Sequence, residues 1–189
     1  MAVRGERAGA TRQRILDVAR EQIASRTVEF TLGSVAAAAD VSVQTILRAF
    51  GSKEGLIVEA VVGALATAPA PTTQPGRSVS EAVTNLFDDY EEIGDRVIWL
   101  LAEEHRIDGM REVAEQGRTY HRTWVDAAFG EQLATFATAE RKRVTLALIA
   151  ATDVYVWKLL RRDLGLQRQA AESIVERLVR GALVNSKGV

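Results

Sequence analysis

A short helix predicted over residues 43–50 carries the side chains best suited to recognising another molecule. Its buried side has apolar residues at helical spacing, namely Ile46, Leu47 and Phe50. Its outer side presents Val43, Gln44, Thr45 and Arg48. A helix of this kind fits the major groove of DNA, which is about 12 Å wide. We expect Gln44 and Val43 to contact base edges, since an amide reads adenine and an apolar group touches the thymine methyl. Thr45 and Arg48 are suited to phosphate or base contacts.

Catalytic and metal-binding chemistry finds little support in the sequence. The chain has no cysteine, and its two histidines are His105 and His121. The acidic pairs at 88–89 and 103–104 have no histidine or cysteine cluster to support them, so we interpret them as exposed faces. The sequence shows no nucleophile motif, glycine-rich phosphate loop or metal-ligand spacing. We therefore expect no enzyme activity, no cofactor and no metal site, and we expect both histidines to be solvated near helix surfaces.

The predicted recognition helix is positioned by the elements around it. Thr31 is suited to cap a helix that runs to about residue 39, Ser42 to cap the helix at 43–50, and Ser52 to cap a fourth helix. Asp40 lies at the tight turn between the first two of these helices, where it tolerates left-handed backbone angles. Helix starts with free N–H groups bind anions, so Thr31 and Ser42 are also candidate phosphate contacts. The pattern predicts a helix-turn-helix between about residues 31 and 53.

The N-terminal segment is basic. Its first fourteen residues contain four arginines and one acid, namely Arg4, Arg7, Arg12, Arg14 and Glu6. We expect a helix over residues 11–25 with Thr11 as its N-cap. The segment through Arg14 is either a basic arm that attracts phosphates by counterion release or a disordered, solvated tail. The sequence leaves both alternatives open.

The chain as a whole has the composition of a soluble globular protein, which we expect to be intracellular, and no alternating pattern predicts a strand, so we expect an all-α fold. It has 189 residues and a formal net charge of −1. Arginines interrupt its first residues and no apolar run reaches membrane-spanning length, so we expect neither a signal peptide nor a membrane span. We expect a cytoplasmic location and no membrane partner. The three prolines lie in the stretch 68–76, which predicts a linker at 67–77 between a domain at 1–66 and a larger helical domain at 78–189.

The larger domain is predicted to begin with helices broken at glycines. Ser78 or Ser80 caps the first helix, Gly94 ends it, and a second helix runs from 96 to 106. A third helix covers residues 110–129 and ends at Gly130.

Two long helices are predicted at the C-terminal end, over about 137–163 and 167–185, with Gly165 between them. The stretch 144–160 is apolar nearly all round, which indicates a helix buried on two sides. A helix-turn-helix protein commonly pairs into a symmetric dimer that reads two half-sites. The residues predicted to face the partner are Leu148, Thr152, Tyr155, Leu159, Ile174 and Leu178.

The N-terminal pattern resembles the TetR family of transcriptional regulators. The matching residues are Thr31, Val35, Ala36, Ala39, Val41, Ser42, Thr45, Phe50, Lys53, Glu54 and Leu56. The resemblance implies that Lys53 begins the fourth helix and contacts phosphate. Leu47 and Ala49 depart from the family, which usually has an aromatic residue at the first position and Tyr or His at the second.

The resemblance also implies a ligand-responsive regulator, most simply a repressor that binds a palindromic double-stranded DNA operator as a homodimer. A small-molecule effector would bind among the middle helices. The implied lining residues are Phe87, Tyr90, Trp99, Glu103, Met110, Tyr120, Trp124 and Phe129, although aromatic residues at this spacing are more often ordinary core. The alternative is a helical interaction module of the same fold that has lost specific DNA binding, which Leu47 and Ala49 favour.

Overall fold

The computed structural model describes residues 2–25, 30–67 and 78–184, with side chains for residues 7–23, 30–64 and 78–184. In these ranges the regular structure is helical without strands, which confirms the all-α prediction. The helices are α1 (Ala2–Ser25), α2 (Leu32–Ala38), α3 (Val43–Phe50), α4 (Lys53–Thr67), α5 (Val79–Glu103), α6 (Met110–Leu133), α7 (Thr138–Ala151), α8 (Val154–Lys158) and α9 (Arg168–Leu183). A π-helical turn, Leu159–Asp163, directly follows α8. None of the described helices is both long and apolar enough to cross a lipid bilayer.

The chain divides into two units. The N-terminal unit comprises Met1–Thr67 and Ala102–Val113, and the C-terminal unit comprises Ala68–Leu101 and Ala114–Val189. The segment 102–113 joins the N-terminal unit although it follows α5 in the chain. Within that segment Gly109 has a positive φ of 85°, and a Cβ there would lie 3.6 Å from Val58 of α4. The predicted boundaries 1–66 and 78–189 stay a prediction, and all of the predicted linker except Thr67 lies outside the described residues.

Small and branched apolar side chains form the core of the N-terminal unit. In this unit α1 packs against α2 and α4, and α3 packs against α2 and α4. The main buried cluster consists of Ile15, Leu16, Ala19, Val35, Ala36, Ala39, Ile46, Phe50, Leu56 and Ala60. The alanines among them allow close helix crossings. Of the three residues predicted on the buried side of α3, Ile46 and Phe50 are buried and Leu47 is partly buried.

Helix α1 starts earlier than predicted. It begins at Ala2 rather than after Thr11, so Thr11 lies inside the helix and is not its N-cap. Residues 2–10 include alanine, arginine and glutamate, which favour helix, and no proline interrupts them. The basic segment is therefore a continuation of α1.

Two predicted glycine breaks are wrong. Helix α5 runs through Gly94 to Glu103, and α6 runs through Gly130 to Leu133. Gly94 is buried, and a Cβ at this position would lie 2.6 Å from the ring of Trp157. Gly94 thus allows a bulky ring from another segment to approach the α5 backbone, and does not end the helix.

The predicted long helix at 137–163 is interrupted at Thr152 and Asp153. The Asp153 carboxylate accepts a hydrogen bond from the Tyr155 N–H at 2.9 Å and so caps α8. The Thr152 hydroxyl donates to the Leu148 carbonyl oxygen at 2.7 Å. These side chains offer the backbone local partners that compete with a continuous helix. Gly165 was predicted as the C-cap; the C-cap residue is Leu164, and Gly165 follows it with a left-handed φ of 65°, as is common directly after a helix end.

Candidate nucleic-acid interface

The turn between α2 and α3 has the geometry that the sequence predicts. Thr31 caps α2, because its hydroxyl accepts the Ser34 N–H at 3.0 Å while the Ser34 hydroxyl accepts the Thr31 N–H at 3.2 Å. Asp40 has a φ of 50°, in the left-handed region. The Val41 N–H then donates to the Ala36 carbonyl oxygen at 3.0 Å, which closes the end of α2. These contacts make α2, the turn and α3 one locally determined motif.

Helix α3 presents its predicted outer side to solvent. Ser42 caps the helix, since its hydroxyl accepts the Thr45 N–H at 3.1 Å and lies 2.9 Å from the Thr45 hydroxyl. Val43, Gln44 and Arg48 are exposed, and Thr45 is partly buried. The structure therefore brings Ser42 and Thr45 into direct contact at the start of α3, beside the two side chains proposed to read bases.

The start of α4 carries the predicted phosphate contact. Gly51 ends α3 with a φ of 79°, and the Ser52 hydroxyl accepts the Gly55 N–H at 3.0 Å, which confirms Ser52 as the cap. Lys53 is the first residue of α4 and is partly exposed, with its ammonium 5.7 Å from the centre of the Phe30 ring. Its position at a helix start suits a phosphate contact.

Two arginines that the sequence assigned to a basic arm hold the helix-turn-helix together instead. The Arg14 guanidinium donates to the Ala39 carbonyl oxygen at the end of α2, at 2.9 Å. Arg12 donates to the Ala49 carbonyl oxygen at 3.0 Å and forms an ion pair with Glu59. The sequence signal for this role is weak, because each partner lies 25 or more residues away.

The residues predicted to line an effector site fall in both units. Glu103 and Met110 belong to the N-terminal unit. Phe87, Trp124 and Phe129 are buried in the core of the C-terminal unit, where the rings of Trp124 and Phe129 meet edge to face. Tyr90 and Trp99 are partly buried, and Tyr120 is exposed. The predicted effector residues of the C-terminal unit therefore range from fully buried to exposed.

A polar cluster within the C-terminal unit was missed by the sequence interpretation. We call Tyr90, His121 and Thr152 the Thr152 cluster. Tyr90 donates a hydrogen bond to the Thr152 carbonyl oxygen at 3.0 Å, and His121 Nε2 lies 2.9 Å from the Thr152 hydroxyl oxygen. Because that hydroxyl already donates to the Leu148 carbonyl, the imidazole donates its Nε2–H to the Thr152 oxygen. The prediction that His121 is solvated is wrong, whereas His105 is exposed as expected.

Burial controls the protonation of the Thr152 cluster. Loss of solvent contact lowers the pKa of His121, and Asp153 offsets this only in part. Burial raises the pKa of the Tyr90 hydroxyl, and the negative charges of Asp153 and Asp89 raise it further. The cluster is thus neutral and hydrogen-bonded near neutral pH.

The predicted dimer residues separate into buried and exposed groups. Leu148 and Thr152 are buried in the core of their own unit, so they have no surface to offer a partner. The other four predicted residues are exposed, namely Tyr155, Leu159, Ile174 and Leu178. Leu146 of α7, which the prediction omitted, is 57% exposed.

Comparison with known proteins agrees with the geometry of α1–α4. Residues 15–60 match the family model described as bacterial regulatory proteins, tetR family. Comparisons with curated proteins and with solved structures find no match. The matched region contains the capped α2, the left-handed turn at Asp40, the exposed face of α3 and the start of α4. The match over this helix-turn-helix supports a DNA-binding transcriptional regulator of the TetR type.

Proposed function

We propose that this protein is a ligand-responsive repressor that binds a palindromic operator as a homodimer and is released by a small-molecule effector. The observation that carries the proposal is the exposed outer face of α3, held by a capped turn on a rigid apolar core. A short helix presented in this way can enter the major groove.

We assign different roles to the side chains of this face. Gln44 and Val43 read base edges from the first turn of α3. Arg48 contacts phosphate or a base, and Lys53 contacts phosphate from the start of α4. Thr31, Ser42 and Thr45 place hydroxyl groups and helix N-termini toward the backbone of the DNA.

Dimerisation supplies the second half-site, and the apolar surface of the last helices supports it. Helices α7 and α9 pack against each other in the C-terminal unit. Their exposed sides combine large apolar residues with small ones, namely Leu146, Ala147, Ala150, Ala170, Ile174, Leu178 and Gly181. Tyr155 of α8 and Leu159 of the π-helical turn, which lie between α7 and α9 in the chain, are 54% and 49% exposed. Single exposed apolar residues are common, but a continuous apolar face indicates a partner. Two helices from each protomer would form a four-helix bundle.

We place the effector in the C-terminal unit, beside Tyr90, Tyr120 and Trp124. This region combines aromatic side chains with the few polar groups of the Thr152 cluster, which is the composition of small-molecule sites. An effector that binds one arrangement of the unit better than another shifts the population of DNA-binding dimers. Compounds that raise the melting temperature of the protein should also release it from the operator.

A DNA-binding experiment tests the proposal. The full-length protein should shift DNA from upstream of its own gene in a gel, and affinity should fall with salt. Lys53→Ala should weaken binding to all sequences and reduce the salt slope by about one, whereas Gln44→Ala should change base preference. If both variants behave alike, the assignment of phosphate and base contacts is wrong.

Sedimentation tests the dimer. Leu178→Glu should convert the protein to monomer, because a charge would be buried in the apolar interface. Val62→Glu is the matched control, since Val62 is an exposed apolar residue of α4. A wild-type protein that sediments as a monomer at micromolar concentration would contradict the dimer.

A second function, a helical interaction module without specific DNA binding, is favoured by one observation. Ala49 is exposed and Leu47 is partly buried on α3, at the two positions where the resemblance to the TetR family implies aromatic or polar residues. Affinity for random DNA that does not depend on salt would support this alternative over the repressor.

A further inference from the structure

Arg12 makes three contacts that join α1 to both α3 and α4. One guanidinium nitrogen donates to the Ala49 carbonyl oxygen at 3.0 Å, and another forms the ion pair with Glu59 of α4. The guanidinium carbon also lies 4.3 Å from the centre of the Phe50 ring. We call Arg12 with Ala49, Phe50 and Glu59 the Arg12 clamp.

The Arg12 clamp acts at the C-terminal end of α3, where few other contacts hold the helix to its neighbours. The last carbonyl groups of any helix lack helical partners, and a cation near them is favourable. In α3 the buried anchors are Ile46 and Phe50. The Gly51 N–H binds the Leu47 carbonyl oxygen at 2.9 Å, and Arg12 binds that of Ala49. The end of α3 is therefore fixed to its neighbours by Phe50 and by Arg12.

We propose that Arg12 is a positioning residue for DNA recognition, which sets the orientation of α3 from inside the protein and does not act as a phosphate contact. Two of its nitrogens already bind the carbonyl of Ala49 and the carboxylate of Glu59, so its charge is used within the fold. A planar guanidinium holds several N–H donors in one fixed plane, so it can donate to two separate acceptors while its face stacks on an aromatic ring, an arrangement that the single ammonium nitrogen of lysine does not reproduce. Tilting of α3 would displace Val43 and Gln44, at its other end, from the bases.

The experiment uses four variants of the full chain. Arg12→Ala removes the clamp, and Arg12→Lys keeps the charge but not the two-directional contact. Glu59→Gln weakens the ion pair from the opposite side. Arg7→Ala is the matched control, because it removes one exposed arginine charge from the same helix. The DNA probes are a duplex that the wild-type protein selects from a random-sequence library and an unselected duplex of equal length.

We expect Arg12→Ala and Arg12→Lys to bind the selected duplex roughly tenfold more weakly, which is the scale of one hydrogen bond to a charged group. The unselected duplex should change less than the selected one, and the salt slope should stay at the wild-type value. Glu59→Gln gives the sharpest contrast. Removing a carboxylate should strengthen DNA binding if charge alone mattered, whereas loss of the clamp should weaken binding to the selected duplex.

Amide hydrogen exchange of the free protein tests the clamp without DNA. Peptides covering α3 should exchange faster in Arg12→Ala and Glu59→Gln than in wild type or Arg7→Ala. This inference rests on the proposal that α3 reads DNA, and the exchange measurement separates a failure of the clamp from a failure of that proposal. Unchanged exchange in both variants, or a salt slope lowered by about one in Arg12→Ala, would overturn the positioning role.

Discussion

The two units of this protein place their polar side chains differently. In the N-terminal unit the buried core is wholly apolar among the described residues, and polar side chains act at helix ends, as Thr31, Ser42 and Arg12 do. In the C-terminal unit Thr152 is buried and bonded to Tyr90 and His121. Thr152 is the one polar residue that is buried in the described part of the chain.

The difference shows what each unit requires from distant parts of the chain. The caps of α2 and α3 join residues three positions apart. The contacts of Thr152 with His121 and Tyr90 span 31 and 62 positions. A buried polar network stabilises one arrangement only when all of its members are in place. The caps of α2 and α3 are thus built from local signals, whereas the Thr152 cluster depends on contacts between distant segments.

The largest expected effect is that of Gly94→Ala. The added Cβ would meet the Trp157 ring, so we expect a loss of about 3 kcal/mol in the free energy of unfolding. Urea denaturation followed by tryptophan fluorescence measures it, because Trp99, Trp124 and Trp157 all lie in the C-terminal unit.

Gly117→Ala is the control for that substitution. Gly117 is an exposed glycine of α6 with open space around a Cβ, so alanine there should stabilise by up to about 1 kcal/mol. Equal effects of the two substitutions would show that the close approach of Trp157 to Gly94 does not exclude a side chain at this position.

Thr152→Val should have the next largest effect. It leaves the buried His121 N–H without its acceptor, at an expected cost of about 2 kcal/mol measured by the same fluorescence assay. Thr123→Val is the matched control, since the Thr123 hydroxyl also bonds a carbonyl four residues earlier but is exposed. A similar small loss in both variants would contradict a structural role for the Thr152 cluster.

Asp40→Gly should stabilise the N-terminal unit by about 0.5–1 kcal/mol, because glycine adopts a positive φ without steric cost. Amide exchange of peptides from α2 and α3 should become slower. Ala37→Gly, in the exposed part of the neighbouring helix, should make exchange faster by weakening the helix. If Asp40→Gly does not slow amide exchange in α2 and α3, the contrast between local signals in the N-terminal unit and long-range contacts in the C-terminal unit is weakened.

The smallest expected effect is a pH dependence from His121. Its pKa is lowered in the folded protein, so the unfolded chain takes up the proton first as pH falls below about 6.5. Stability of the C-terminal unit is therefore fully present above pH 6.5 and declines below it, until the folded-state pKa is passed. Denaturation curves at several pH values should show this decline, and His121→Gln should reduce it.

His105→Gln is the control for the pH experiment, because His105 is exposed. If His105→Gln removes the decline and His121→Gln does not, the effect of burial on His121 is misassigned.

Much of the local structure of the helix-turn-helix could be predicted from sequence, and less of the C-terminal unit. Thr31, Ser42 and Ser52 cap their helices as expected, and Asp40 has the expected left-handed backbone, because their partners lie within a few residues. Gly94 was wrongly predicted to end a helix, because the sequence does not distinguish a glycine that ends a helix from one that allows a ring such as that of Trp157 to pack against the helix backbone. His121 was misread for a related reason, since its partner Thr152 lies on a different segment.

The sequence by itself determined the all-helical class, the helix-turn-helix at its N-terminal end and the exposed residues of α3. Apolar periodicity and capping act over one or two turns of helix, and those distances are visible in the order of the residues. Only the tertiary structure decided that Arg12 and Arg14 tie α1 to the ends of α3 and α2, that Gly94 receives Trp157, and that Thr152 joins Tyr90 and His121. Such contacts depend on which helix faces are brought together by packing, which residue order alone does not specify.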